Sequence, residues 1–364
     1  MKRIFSKKWI GWAIVIVLII TIKIISINPV WVERYYTNGV YPIIAVVLRY
    51  MFGWLPFSIG DIAYSLAIVF VIFKIVGTIK RIKNKNFSKQ YAKSFIRKGV
   101  FVALVLYVVF YGLWGLNYSR LGIASQLGLK AKEYTTRDID TLVGLLHSRL
   151  NNNAVLLTNS MRDSFKTKRD VFFNASLLYK IAATKYPFLA YKAYSVKPSL
   201  FSYFGNYMGF QGYYNPFTGE GQVNTTIPKS VEPFVAAHEI AHQLGYAKES
   251  EANFVGFLAC RLHPSINFKY SVYFDMYHYA IRELASVDTV KAKQYDSTLH
   301  KQVKKDMDEY IAFYKKYRNP IEPYIYKFYG YFLKANNQPK GRASYNEVVS
   351  WLIAYYKKYG HSVI

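Results

Sequence analysis

A single cysteine, Cys260, stands among 364 residues. That scarcity excludes an intramolecular disulfide framework and a zinc site built from several thiolates. The neighbours Phe257-Leu258-Ala259 mark Cys260 as a core thiol and not a nucleophile. Acidic residues are also sparse: 21 Asp and Glu face 48 Lys and Arg, a formal net charge of +27. So basic a chain suggests nucleic acid as a partner, but it carries no recognisable nucleic-acid-binding module. Much of the charge instead flanks apolar runs or is mixed with Tyr, as on a surface beside anionic lipid. No internal repeat and no low-complexity segment stands out.

What the chain has in excess is apolar residues, unevenly placed. Trp9 to Ile27 is almost wholly apolar, interrupted by Lys23, and is long enough to span a hydrocarbon core of about 30 Å. It has neither the short apolar region nor the small-residue cleavage site of a removable leader, so it reads as a retained anchor. Further spans are expected at about 62–77 and 100–116. Between them lies a basic loop with Lys80, Arg81, Lys83, Lys85, Lys89, Lys93, Arg97 and Lys98. The positive-inside rule places this loop and the basic N-terminal tail in the cytoplasm. Everything after Asn117 then lies outside. Residues 39–56 are apolar but broken by Pro42, Arg49, Gly53 and Pro56. A span there would push the basic loop outside, so this stretch reads as interfacial or re-entrant. The expected organisation is a multi-pass membrane domain over residues 1–120, in the lipid bilayer of the cytoplasmic (inner) membrane, and an extracytoplasmic domain over 121–364.

The second part reads as mainly α. Thr135 and Asp138 open a helix that runs to Leu150, Asn151-Asn152-Asn153 forms a turn, and a helix covers about 169–184. Residues 199–227 are rich in Gly and aromatics, with a turn at Asn215-Pro216-Phe217-Thr218-Gly219, and predict a small sheet or hairpin. Its edge either holds an extended peptide by strand addition or only covers the core. Helices follow at about 246–262, 268–287, 289–317 and 320–335. Asn336 to Gly341 breaks the chain before a last amphipathic helix over 344–359.

The chemistry is concentrated in Val235-Ala-Ala-His238-Glu239-Ile-Ala-His242-Gln-Leu-Gly245. This is H-E-x-x-H: two His at i and i+4 share one helical face and can share one metal ion, and Glu239 flanks that face as a general base. Ser230 is the expected N-cap, Glu232 and Pro233 suit the first turn, and Gly245 ends the helix. The bland alternative is a buried helix whose His satisfy backbone or carboxylate groups. A catalytic zinc wants a third protein ligand. A third His in the H-E-x-x-H-x-x-G-x-x-H pattern would fall at Lys248, which excludes that class. The remaining donors are Glu249 and, alternatively, Glu251. Glu249 shares its helical face with Asn253, which suits a ligand and an amide that orients it or a His.

His238-Glu239-Ile-Ala-His242 followed by Glu249-Ser-Glu-Ala-Asn253 resembles the gluzincin group of zinc metallopeptidases, which pairs H-E-x-x-H with a downstream E-x-x-A-[DN]. The resemblance implies Zn2+ as cofactor, His238, His242 and Glu249 as ligands, Glu239 as catalytic base, and Asn253 as an outer-shell residue. The departure is a shorter turn between the second His and the Glu. Over nearly its full length the chain is also similar to an uncharacterised bacterial membrane family with three N-terminal spans, a Trp-Gly-Leu-Asn-Tyr-like segment (Trp114 to Tyr118) and a Ser-Tyr helix start (Ser344-Tyr345). The implied fold is a membrane-anchored, mainly α, zincin-like domain with a small sheet before the H-E-x-x-H helix. The implied function is a zinc-dependent peptidase acting on an unknown peptide or protein outside the membrane. A binding or signalling protein that keeps the metal but not turnover is the alternative.

Overall fold

The structure is a computed structural model that describes residues 7–130, 133–162, 165, 167–341, 343 and 347–364. It is mainly helical. Among the described residues, three helices have the length and apolar composition to cross a membrane: α1 (Lys7–Ser26), α4 (Ile59–Lys83) and α5 (Lys89–Leu113). Their apolar side chains stay largely exposed, as lipid-facing surfaces do. α4 and α5 outrun the expected spans because the basic loop residues between them, good helix formers, prolong both helices. The third run also ends earlier than expected, at Leu113. Gly115–Ser119 turns into a buried 3-10 segment.

Residues 29–58 are where the sequence is least literal. A one-turn helix α2 (Pro29–Trp31) leads into a π-helical segment, Val32–Val40, and then α3 (Tyr41–Phe52). α3, at 12 residues, is shorter than the about 20 that a membrane-crossing helix needs. It buries Tyr41, Ala45 and Arg49 against the rest of the protein and leaves Ile43, Val47 and Tyr50 exposed.

The remainder packs around one core. α6 (Gly122–Gln126) is short, and α7 (Thr136–Leu156) opens with the expected Thr135–Asp138 capping box. The helix does not stop at Leu150. Asn151 accepts from His300 N (2.8 Å) and donates to the Thr298 carbonyl (3.2 Å), so the three Asn stay helical. α8 (Asn159–Arg162) and α9 (Lys168–Lys185) follow.

β1 (Val196–Pro198), α10 (Ser202–Met208), β2 (Gly212–Asn215) and β3 (Glu220–Val223) come next. The sheet has the order β1-β3-β2: β2 and β3 form the expected hairpin, and β1 adds in parallel beside β3. Then come α11 (Glu232–Gln243), α12 (Glu249–Cys260) and α13 (Ile266–Val287). The helix expected over 289–317 is divided into α14 (Thr289–Ser297) and α15 (Lys301–Tyr317), because Leu299 turns into the core and His300 caps the second piece. α16 (Glu322–Ala335) and α17 (Glu347–Tyr359) end the chain's long elements. The Ser344-Tyr345 start of the last helix lies outside the described residues. Cys260 is fully buried, as its neighbours predict.

Candidate metal centre

α11 is buried along nearly its whole length, so everything polar on it must find a partner within the protein. The expected Ser230 cap is not used. The helix begins after Val231, the Ser230 hydroxyl is buried without a partner, and the Phe234 N–H is met by Ser271 Oγ of α13 at 3.0 Å. Tertiary packing replaces a local cap.

His238 and His242 lie one turn apart with ring centroids 4.6 Å apart and planes at 89°. Gly245 takes φ +84° and reverses the chain into α12. The reversal brings Glu249 back so that its Oε2 lies 3.2 Å from His238 Nε2 and 3.5 Å from His242 Nε2. One donor atom from each of the three residues falls within 4.8 Å of the others.

Each donor is oriented by a second contact. His242 Nδ1 lies 2.8 Å from the Tyr246 carbonyl, which can only accept, so Nδ1 carries a hydrogen and Nε2 is the nitrogen whose lone pair becomes free when the ring is neutral. His238 is hydrogen-bonded to the Asn253 side chain. Tyr329 on α16 donates to Glu249 Oε1 at 2.8 Å, which leaves Oε2 toward the His pair. The Glu249 N–H is bonded to Gln338 Oε1. Glu251, the other candidate donor, points away: it sits beside Gly122 and pairs with Lys248 at 3.6 Å.

The electrostatics suit a cation. Burial opposes the charge on Glu249, but the two imidazoles override it and hold the carboxyl well below the usual range. Burial opposes the His242 imidazolium as well, and Glu249 and Glu239 together lift it to about 9. Without a metal, the cluster therefore retains a proton between facing donors. A divalent ion would displace that proton, and a His2Glu donor set is a zinc set. Glu239 is different. Burial, reinforced by Glu249, pushes its carboxyl up to about 8, and its Oε2 is buried with no partner. The side chain runs along the hairpin: a Cβ at Gly212 would come 2.5 Å from its Oε1, and one at Gly221 3.0 Å from its Cβ.

Sequence reasoning missed how α11 ends. Trp114 Nε1 donates to the His242 carbonyl (3.0 Å), and Tyr41 Oη (2.8 Å) and Arg49 (3.0 Å) both donate to the Gln243 carbonyl. Arg120 donates to the Gly245 carbonyl at 3.1 Å. The carbonyls left over at a helix C-terminus are thus met by residues that precede α6 in the chain. Arg49, a lone charge in an apolar run, was the readable sign. Gln243 in turn donates to the Ser195 and Gly219 carbonyls, fastening the sheet to α11. Glu220 accepts from the Gly60 (2.7 Å) and Ile59 (3.2 Å) N–H groups and so caps α4 from the hairpin.

The cluster opens into a cavity of about 1390 Å3. Glu239, Asp275, His278 and Tyr279 line it, with the edge strand β2 along one side. No curated protein and no solved structure matches the chain. A family model does: described as "Protein of unknown function (DUF3810)", it matches residues 36–353, taking in α3, two of the three apolar helices and the whole His–Glu cluster, and the chain belongs to that family.

Proposed function

We propose that the chain is a membrane-anchored, gluzincin-like zinc metallopeptidase. In this reading α1, α4 and α5 span the cytoplasmic membrane and the His–Glu cluster faces its outer side. The observation that carries it is the pairing of a three-donor cluster with an unpartnered, buried carboxylate beside it. A pure binding site has no need of Glu239.

His238, His242 and Glu249 would hold the zinc. When bound there, the ion supplies Lewis acidity, acidifying a coordinated water and drawing charge from a carbonyl oxygen. Glu239 takes the proton as water adds to the peptide carbonyl and passes it to the departing amine when the C–N bond breaks. Among the described residues β2 is the outer strand beside β3, and its Gly212, Tyr213 and Tyr214 line the cavity, where an extended peptide can add as a further strand. Asn253 and Tyr329 position His238 and Glu249.

The test is elemental analysis and peptide hydrolysis on detergent-purified protein. Near-stoichiometric zinc is expected, lost in His238→Ala. Glu239→Gln should retain zinc and lose hydrolysis at least a hundredfold. Zinc with no hydrolysis of any peptide pool by the wild type would favour the non-catalytic alternative, and no zinc after metal is supplied would end the peptidase reading.

A further inference from the structure

The cavity at the His–Glu cluster is not walled by the α7–α17 part alone. Tyr64, Ala67 and Ile68 of α4, Phe110 of α5 and Trp114 just after it also line it. Both helices are apolar over the length of a membrane crossing. Ile68 lies six residues beyond Ile62, so this wall descends about 9 Å along the apolar run at 1.5 Å per residue. Apolar surface continues in the cavity lining at Phe204 of α10, which is 61 % exposed, and at Phe332 of α16. Phe110 meets Phe332 of α16 with ring centroids 6.4 Å apart, joining the span to that surface. Arg282, Lys315, Arg318 and Glu322 give the cavity a polar side that suits a peptide, so the apolar wall is an addition to it. Here the floor holds Glu239 and the His pair while one wall is continuous with lipid-facing helix.

Resting on the hydrolase reading, we propose that the substrate is a peptide carried on an apolar chain embedded in the bilayer, admitted past Ala67 and Ile68 so that the peptide reaches the cluster while its anchor stays in lipid. The anchor can be an acyl chain or an apolar transmembrane segment, since the wall recognises apolar surface and not a head group. Ala67 is the narrowest side chain on that wall and is exposed, so enlarging it blocks entry without disturbing packing.

The experiment uses the full chain in nanodiscs, with zinc content measured on the same samples. Three probes carry one photo-leucine peptide pool: unanchored, N-palmitoylated, or fused to a twenty-residue Leu-Ala segment. Cross-links are mapped by mass spectrometry. At least one anchored pool is expected to label Phe210, Tyr214 or Tyr279 at least tenfold more than the unanchored pool, and which one does so identifies the anchor. Ala67→Trp should remove most of that advantage and leave labelling by the unanchored pool unchanged, an outcome that mere concentration at the membrane cannot give. Equal labelling by all pools, or an advantage that survives Ala67→Trp, overturns the proposal. Cavity labelling with bound zinc but no cleavage would count against the peptidase reading alone. Cleavage of anchored and unanchored pools at equal rates would count against this inference alone.

Discussion

Replacing Gly245 by Ala should weaken both the fold and the metal site, because one residue carries two constraints. Its φ of +84° is costly for any L-residue with a Cβ, by about 1–2 kcal/mol. A Cβ there would also stand 2.9 Å from Tyr41 Cε1 and 3.1 Å from Asn117 Oδ1, and overpacking of that kind costs about 1–3 kcal/mol. Together the loss should be about 2–5 kcal/mol. The turn sets where α12 starts, and with it the distance of Glu249 Oε2 from the two imidazoles, now 3.2 and 3.5 Å. Zinc affinity should therefore fall by about 10–100-fold, the range seen when supports of a ligand are removed. Gly245→Asn separates the two causes: Asn tolerates positive φ but still brings the Cβ, so it should recover only the strain. The assays are unfolding in detergent with zinc or with chelator, and zinc competition against a chromophoric chelator. Gly245→Ala with unfolding free energy within about 0.5 kcal/mol of wild type and unchanged zinc affinity would refute the reasoning.

Glu220→Gln replaces one of the two acceptor oxygens, so an amide NH2 faces either the Ile59 or the Gly60 N–H, which should cost about 1–3 kcal/mol and speed hydrogen exchange at the first turn of α4; unaltered exchange there would count against the cap. Gly212→Val drives a side chain into the space of the Glu239 carboxylate, so hydrolysis should drop at least tenfold while zinc content stays at wild-type level. Burial pushes the Asp275 carboxyl up to about 7. The folded state thus holds a proton that the unfolded chain releases near pH 4, so the stabilisation is complete below about pH 4 and is lost as pH rises through about 7. Asp275→Asn should flatten that dependence and raise stability at pH 8 by a few kcal/mol; an unchanged slope between pH 5 and 8 would show that the carboxyl ionises normally.

The elements that were legible in the sequence are those whose cause is local. Uninterrupted apolar length fixed the three candidate spans, and a Thr–Asp capping box fixed the start of α7. The i, i+4 spacing put both His on one face of α11, and a Gly with no alternative but a turn placed Glu249 within reach of them.

Tertiary structure decided the rest. Between Glu249 and Glu251 the choice rests on how α12 is rotated against α11, and α12 is buried on every face, so no pattern of polarity reveals it. The start of α11 is satisfied by Ser271 and its end by Tyr41, Arg49, Trp114 and Arg120, partners up to 202 residues away along the chain. The Asn run in α7 stayed helical because its side-chain bonds are made by a distant turn. Sequence determined the donors and the turn that gathers them, since helical spacing and backbone sterics are local. Only the fold decided that the apolar helices α4 and α5 would wall the cavity, because burial and hydrogen-bond satisfaction are settled between segments that the sequence keeps far apart.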